Sequence, residues 1–264
     1  MKRLIKNGLE VLQFENPGFS GCTHGVFTRK GGVSIGQWTS LNQGGTVGDE
    51  RSHTIENRKR AFEFFGRRVE SIIDVWQVHG NNVVCADQPR ALDEPHTKAD
   101  AIITNNPELT IFMRFADCVP ILLYDPVKKV IGGVHAGWKG TVNNIVKDAV
   151  LAMREYYQVN PTDIIAGIGP AIGPDHYVVG EDVYAKALLT FGEDVDQVVT
   201  ISNGKIHFNL WRANEFLLEK QGIKAIESAQ ICTACNLEDW YSHRAENGAT
   251  GRFGALIAIG EPHA

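Results

Sequence analysis

Short apolar runs bounded by glycine, proline or polar residues recur along most of the chain, and they predict β-strands more often than helices. Later in the chain, the pair Asn203-Gly204 is typical of a tight hairpin turn. The predicted strands cover residues 23–28, 72–78, 83–86, 101–104, 109–115, 121–124, 130–135, 164–168 and 255–259, with one more leading towards Cys232.

Helical spacing of apolar residues is clearest between Val142 and Tyr157, where it predicts a helix with one apolar face. Asp49 and Asn209 are expected to cap two other helices, because their side chains can accept from the free N–H groups of a first turn. These other predicted helices cover residues 49–65, 181–191 and 209–221. Strands and helices mix without strict alternation, so the sequence predicts an α+β or mixed α/β fold.

Composition narrows the class of protein further. Hydrophobic residues make up 43% of the chain and charged residues 22%, which is usual for a globular protein. One domain is expected over residues 1–264. The net charge of −5, from 26 basic and 31 acidic residues without a basic arm, argues against a nucleic-acid partner. A few arginines could still bind a small anion.

Neither a membrane segment nor an export signal is expected. No apolar run approaches the roughly 18–20 residues that a membrane-spanning helix needs, and the N-terminal MKRLIKNGLE lacks the apolar stretch of a signal peptide. The odd number of cysteines, five, fits a reducing compartment without a disulfide framework. A cytoplasmic protein is therefore expected. Its expected state of assembly is a monomer or a homodimer.

Three metal-competent side chains stand at or near the ends of predicted strands: His79 in VWQVHG, Cys118 in RFADCVP and His135 in VIGGVHAGW. Their separations of 39 (118 − 79) and 17 (135 − 118) residues match no local zinc spacing, but a sheet can bring strand ends together. One thiolate and two imidazoles suit zinc, and three ligands leave a fourth position open. Two other interpretations stay open: Cys118 as a nucleophile with His135 as its base, or a buried cysteine beside hydrogen-bonded histidines.

The segment HAGWKGTVNNIV passes from a predicted strand through Gly137 to a helix expected to start near Thr141, with Lys139 between them. Free N–H groups at such a helix start can bind an anion. An ordinary glycine turn explains the segment equally well.

Cys232 and Cys235 form a C-x-x-C pair. Such a pair can be redox-active or can supply half of a zinc site. Because no second pair of ligands is evident in the sequence, two buried thiols are the favoured interpretation.

Several segments taken together resemble one known family. VWQVHGNNV, ADAIITN, ADCVPILLYDP, GGVHAGWKGTV, GIGPAIGP, ICTAC and SHRAENGATGRFGALI look like the YfiH family, formerly a domain of unknown function and also labelled polyphenol oxidase or laccase-domain proteins. The resemblance runs from about Phe19 to Ile259. It implies a single mixed α/β domain similar to bacterial cysteine-dependent deamidase toxins.

The resemblance also implies an activity: phosphorolysis of adenosine, inosine, guanosine and 5′-methylthioadenosine, with adenosine deamination as a side activity. The family's zinc ligands fall on His79, Cys118 and His135. Copper is less favoured, since none of the nine histidines forms the H-x-H pairs of multicopper oxidases. The alternatives are a Cys118/His135 thiol hydrolase or amidase acting on peptidoglycan precursors, and a metal-binding protein without catalysis.

Further site residues are predicted from residue type. Arginine matches phosphate geometry, and Lys139 stands where the family commonly has arginine, which keeps the charge but loses bidentate binding. Asp117 is expected to hold a ligand histidine, and Asn42 to line the pocket. The predicted substrate- and phosphate-binding residues are Arg29, Asn42, Arg58, Lys139, Arg244 and Arg252.

Overall fold

Most of the apolar runs become strands of two six-stranded sheets in the computed structural model, which describes residues 1–260. The strands are β1 (Lys2–Lys6), β2 (Leu9–Gln13), β3 (Cys22–Phe27), β4 (Ile72–Ile73), β5 (Val83–Cys85), β6 (Ala101–Thr104), β7 (Thr110–Phe115), β8 (Val119–Asp125), β9 (Val130–Ala136), β10 (Ile165–Ile168), β11 (Val178–Val179), β12 (Val199–Ser202), β13 (Lys205–Phe208), β14 (Ala225–Ser228) and β15 (Phe253–Ile259). The first sheet has the order β1-β2-β3-β15-β7-β4, the second has the order β14-β10-β8-β9-β6-β5, and a small third sheet has the order β11-β13-β12.

Both large sheets combine antiparallel and parallel pairs. In the first, β15 pairs antiparallel with β3 and β7, while β4 pairs parallel with β7. In the second, β8 and β9 are antiparallel, whereas β14 joins β10 and β5 joins β6 in parallel. The helices are α1 (Arg51–Phe64), α2 (Trp138–Val142), α3 (Ile145–Tyr157), α4 (Glu181–Phe191) and α5 (Leu210–Lys220).

The two sheets pack face to face, with helices on both outer sides. In β8, Leu122 and Tyr124 pack towards the first sheet, while Ile121 and Leu123 pack towards the helices. All seven residues of β8 are buried, because both of its faces are covered. α1 covers the outer face of the first sheet through residues such as Phe62. The result is four layers: helix, sheet, sheet and helices.

The predicted strand 72–78 is wrong in its second half. Only Ile72–Ile73 form β4, and Trp76 contributes a single bridge. The backbone N–H groups of Val78, His79 and Gly80 instead donate to the carboxylate of Asp100. A segment that wraps a carboxylate cannot use the same donors for strand pairing.

Helix boundaries differ from the prediction at two places. The helix expected from Val142 to Tyr157 is divided into α2 and α3 by Asn144, whose φ of 61° breaks the helix and whose side chain caps α3. Glu50, not Asp49, is the N-cap residue of α1. The Asp49 carboxylate accepts from Ser34 and Asn42 instead, so it is not available as a cap.

One hairpin was not predicted. β1 and β2 are joined at Asn7 and Gly8, which have φ of 53° and 81°. An Asn-Gly pair is the usual signal for this turn, and it is present in the sequence. The predicted Asn203-Gly204 hairpin, between β12 and β13, is confirmed. Among the described residues, 1–260, none of the helices combines the length and apolarity that crossing a bilayer requires.

Candidate metal centre and active site

Cys118, His135 and His79 converge at one end of the central strands β8 and β9 of the second sheet. Cys118 directly precedes β8 rather than ending a strand, and His135 lies near the end of the antiparallel β9, opposite Pro120. His79 comes from the loop that wraps Asp100. The sulfur and the ring nitrogens lie within 4.8 Å of one another, and the two imidazole centroids are 4.8 Å apart.

The carboxylate of Asp100 positions the histidines of this centre. The sequence alone did not indicate this role of Asp100. The fully buried carboxylate lies 2.8 Å from His135 Nδ1 and accepts the backbone N–H groups of His79 and Gly80 at 2.9 and 2.7 Å. An ionised carboxylate only accepts, so Nδ1 of His135 carries the proton and Nε2 is free to bind a ligand. Burial raises the pKa of Asp100, but His135 and the backbone donors outweigh it, and the pKa is lowered.

The thiol and the imidazole favour each other's charged form. Burial by itself would raise the pKa of Cys118, but His135 and His79 outweigh burial and lower it to about 6. Burial would lower the pKa of His135, but Cys118 and Asp100 raise it to about 9. Without a metal, each group therefore stabilises the charged form of the other, a thiolate beside an imidazolium. A thiolate is the form that binds metal or attacks a substrate.

The donor set and its spacing fit one zinc ion. Tetrahedral zinc, with bonds of about 2.3 Å to sulfur and 2.0–2.1 Å to nitrogen, separates its ligand atoms by about 3.3–3.6 Å. The three ligand atoms, all within 4.8 Å of one another, reach such separations with small movements. Gly137 keeps the space between them free, since a Cβ there would lie 2.9 Å from Cys118 Sγ and 3.0 Å from His79 Cδ2.

A cavity of about 740 Å³ opens beside the three ligand side chains. This volume is within the usual range for small-molecule sites, about 300–1,000 Å³. Trp76, which is 48% exposed, offers an aromatic face in the lining. The cationic and titratable lining residues, besides the candidate ligands, are Arg51, Arg58, Lys59, Arg90, His96, Arg114, His243 and Arg252.

Three of the five lining arginines, Arg51, Arg58 and Arg252, have no carboxylate partner among residues 1–260, and Arg51 is exposed. Arg58 donates Nε and Nη2 to the carbonyl of Gln43, and Arg252 donates Nη1 to the carbonyls of Thr250 and Gly251. Burial, reinforced by other arginines nearby, lowers the pKa of Arg58 to about 10. A guanidinium that lies at a cavity wall and that no carboxylate contacts directly favours the binding of an anion.

The other two lining arginines, Arg90 and Arg114, share one carboxylate. Asp74 accepts from Arg90 Nε and Arg114 Nη1, both at 2.6 Å, and lies 3.0 Å from His96 Nε2. Burial would raise the pKa of Asp74, but the hydrogen bonds with His96 and Arg90 and the charge of Arg114 keep this pKa well below its usual range. Sequence reasoning missed Asp74, Arg90 and Arg114, because nothing local in the sequence shows that they meet.

Arg29, predicted to bind phosphate, is not among the residues that line the cavity. Its guanidinium donates to the carbonyls of Thr39 and Leu237 and forms an ion pair with Glu246 at 3.1 Å. The same group lies 4.2 Å from the ring centre of Tyr241. Arg29 therefore joins two loops and has its donors occupied.

Asn42 also fails to line the cavity, although it supports the wall. The fully buried amide donates to Gly44 O and Asp49 Oδ2 and accepts from the N–H groups of Gly44 and Arg252. Its hydrogen bonds are therefore all made within the protein. The predicted contact with substrate is replaced by a role in positioning Arg252.

Lys139 and Arg244 lie outside the cavity lining. Lys139 is exposed in α2, which begins at Trp138 and not near Thr141 as predicted. Arg244 donates to the carbonyl of Val178 at 2.9 Å. Neither cation faces the candidate metal centre from the cavity.

The prediction that Asp117 holds a ligand histidine is wrong. Its two carboxylate oxygens accept from Thr233 Oγ1 and from the backbone N–H of Arg244, both at 2.6 Å. Asp117 has a φ of 82°, a conformation that these contacts hold in place. Asp100 makes the contact with the histidine.

Two mixed sheets packed face to face, with a thiol and two imidazoles beside a cationic cavity, define a mixed α/β protein with an open, three-ligand candidate metal centre. Comparison with known proteins adds the family. The chain belongs to the family described as multi-copper polyphenol oxidoreductase laccase, whose model matches residues 23–260.

Individual relatives agree with this assignment. Purine nucleoside phosphorylase YlmD of Bacillus subtilis is 34% identical over 246 residues, covering 90% of this chain and 88% of the relative. The crystal structure of YlmD from Geobacillus stearothermophilus aligns with a TM-score of 0.92 at 30% identity and covers 98% of each chain. That of the Bacillus licheniformis hypothetical protein YfiH has a TM-score of 0.89 at 32% identity, covering 96% of this chain and 97% of the other. The predicted YfiH membership and mixed α/β fold are confirmed.

Proposed function

We propose that the protein is a zinc-dependent purine nucleoside phosphorylase. His79, Cys118 and His135 hold one zinc ion, and the adjoining cavity holds the nucleoside and phosphate. The observation that carries the proposal is that an open three-ligand centre adjoins a cavity in which Arg58 and Arg252 lack carboxylate partners within residues 1–260. The name of the Bacillus subtilis relative supports it.

In this reaction a phosphate oxygen forms a bond to ribose C1′ while the bond from C1′ to the purine nitrogen breaks. The electron pair leaves with the purine, which takes a proton from solvent, and the products are the free base and ribose 1-phosphate. When bound, zinc would supply Lewis acidity and orient an oxygen of phosphate or substrate.

The protein's own residues have separate roles in the proposal. Arg58 and Arg252 bind the phosphate, because a guanidinium matches two phosphate oxygens at once. Trp76 offers a face on which the purine can stack. Asp100 keeps His135 in the tautomer that leaves Nε2 free.

The proposed substrates are adenosine, inosine, guanosine and 5′-methylthioadenosine, with adenosine deamination as a side activity. Zinc is proposed rather than copper, although the family description names copper. Within residues 1–260 neither metal-competent cluster contains a pair of histidines in an H-x-H arrangement.

The test is to incubate the zinc-loaded protein with inosine and phosphate and to measure hypoxanthine and ribose 1-phosphate by chromatography. Product should require phosphate and should be lost in Cys118→Ala. Cys85→Ala, which removes a thiol outside both metal-competent clusters, is the matched control and should remain active. Phosphate-independent product, or equal activity of Cys118→Ala, would contradict the proposal.

A second candidate function is a thiol hydrolase or amidase acting on peptidoglycan precursors. The observation in its favour is the series Cys118, His135 and Asp100, in which a thiolate, an imidazole and a carboxylate are brought together. In this case metal-free protein should cleave an amide substrate, and alkylation of Cys118 should abolish that activity. The phosphorylase proposal predicts no activity from the metal-free protein.

A further inference from the structure

A second cluster of metal-competent side chains lies outside the cavity. Asp175, His176, Cys232 and Cys235 offer four ligand atoms that all lie within 4.8 Å of one another, and none of the four lines the cavity. We propose that these four residues form a second zinc site, in which the metal is held by two thiolates, one imidazole and one carboxylate.

The distances within the cluster are those of a metal's ligands. His176 Nδ1 lies 3.4 Å from Cys235 Sγ and 3.8 Å from Cys232 Sγ. Asp175 Oδ2 lies 3.4 Å from Cys235 Sγ and 3.0 Å from His176 Nδ1. Tetrahedral zinc with these ligand types would place sulfur about 3.6 Å from nitrogen or oxygen, and nitrogen about 3.3 Å from oxygen. Each observed separation is therefore close to that of a tetrahedral site.

The surrounding backbone holds the ligands in place. The N–H of Gly173 lies 3.2 Å from Cys232 Sγ, and such a donor stabilises a thiolate. Ala171 forms a β-bridge with Cys232 and accepts the N–H of Thr233 at 3.1 Å. A Cβ on Gly173 would lie 2.6 Å from Asp175 Oδ1 and 3.1 Å from Cys232 Cβ, so this position leaves no room for a side chain. The ligand geometry is therefore built by the fold.

The structure supplies the ligands that the sequence did not reveal. No second C-x-x-C pair exists, but Asp175 and His176 approach Cys232 and Cys235 from 56 residues or more away in the chain. The interpretation as two buried thiols is wrong, because Cys232 is buried whereas Cys235 is exposed. An exposed cysteine beside a histidine and a carboxylate has a use in metal binding that a core thiol lacks.

Four protein ligands make this site closed, which is the structural type of zinc site. The metal would join the segment after β10, which carries Asp175 and His176, to the loop that carries Cys232 and Cys235. Thr233, between the two cysteines, donates to the carboxylate of Asp117 at 2.6 Å, and Asp117 precedes Cys118. The second site thus supports the turn on which the first site depends.

The proposal is tested by measuring the metal content of the protein. The protein is loaded with zinc, unbound zinc is removed, and the bound metal is counted by plasma mass spectrometry. Wild type should hold two equivalents per chain. Cys235→Ser and His176→Ala should each hold one, and because both positions are exposed these variants should fold. Cys118→Ser should also hold one, from the second site alone, and the control Cys85→Ser should hold two.

Cobalt substitution and thiol counting identify the site further. In Cys118→Ser, bound cobalt should still show thiolate-to-cobalt charge-transfer absorption, because Cys232 and Cys235 remain. Metal-free wild type, denatured without reductant, should titrate all five thiols. The proposal would be overturned if wild type held one zinc equivalent and only Cys118→Ser removed it. It would also be overturned if the titration found three thiols, because Cys232 and Cys235 would then be disulfide-bonded. Failure of nucleoside phosphorolysis would leave the metal count unaffected, so the two proposals fail separately.

Discussion

The two metal-competent clusters use the same kinds of atom but differ in ligand number and surroundings. His79, Cys118 and His135 offer three ligands next to a cationic cavity, whereas the cluster around Cys232 and Cys235 offers four, none of which lines that cavity. A three-ligand zinc site has a position for substrate, and a four-ligand site has none. Ligand number and neighbourhood, rather than residue type, therefore separate the proposed catalytic site from the proposed structural one.

The largest expected effect comes from removing one thiol from each cluster and comparing activity. Cys118→Ala removes a ligand of the open centre, and a metal contribution of several kcal/mol corresponds to a loss of about three orders of magnitude in kcat/KM. Cys235→Ala should stay within a few-fold of wild type at 25 °C. Steady-state phosphorolysis of inosine measures both. Equal losses in the two variants would mean that the clusters do not divide function as proposed.

The second-largest expected effect is a difference in reactivity between the Cys118 thiol and the Cys85 thiol in the metal-free protein. The pKa of Cys118 is lowered to about 6, so its thiolate is present above pH 6 and is lost as the pH falls through that value. Burial raises the pKa of Cys85, so that thiol should react slowly throughout. Iodoacetamide labelling of apo protein, followed by peptide mass spectrometry, should give a half-maximal rate for Cys118 near pH 6. A midpoint near pH 9 would show that His135 and His79 do not stabilise the thiolate.

Asp100→Asn tests how the open centre is positioned. The amide cannot match the carboxylate's contacts with His135 and the loop of His79, and such partners contribute about 10–100-fold in metal affinity. Zinc affinity, measured by competition with a chelating dye, should fall by that factor in Asp100→Asn but not in Asp117→Asn. A fall in kcat/KM that excess zinc restores is the expected second readout. Unchanged affinity would show that Asp100 only supports the fold.

The cationic cavity can be tested separately from the metal. Arg58→Gln removes a guanidinium that has no carboxylate partner in the described part of the chain. A lost charge-assisted contact of about 1.5–3 kcal/mol should raise KM for phosphate about tenfold or more. The control is Arg60→Gln, which lies on the same helix and pairs with Glu56. Zinc content should stay unchanged in both variants. A rise in KM for the nucleoside alone would assign Arg58 to the other substrate.

The sequence revealed the open centre better than it revealed the residues that build it. His79, Cys118 and His135 could be singled out because each is a metal-competent residue next to an apolar run, in segments that resemble a known family. The sequence offered no such reason to single out Asp100, Asp74 or the proposed ligand His176. Their roles arise from contacts with residues far away in the chain, and no local pattern records those contacts.

The sequence likewise predicted only those features of the fold that follow from local patterns. The apolar runs located most strands, because a strand buried on both faces, such as β8, reads as a continuous apolar segment. Strand order and the early end of β4 were not predictable, since a distant carboxylate takes the N–H groups of the following loop. Arg29 and Asn42 were assigned to the site by residue type, and their hydrogen bonds to loops correct that assignment.

The smallest expected effect tests the connection between the two clusters. Thr233→Val keeps the shape of a buried side chain but removes its hydrogen bond to Asp117, while the N–H of Arg244 still holds the other oxygen. A buried carboxylate oxygen that loses its donor costs about 1–3 kcal/mol, which should lower the melting temperature by several degrees. Thr200→Val, at an exposed position of β12, is the control and should melt like wild type. Both zinc equivalents should remain, because no ligand is changed, and phosphorolysis should fall only a few-fold. If Thr233→Val released the metal of the open centre, the two clusters would form one cooperative unit and the division between them would be wrong.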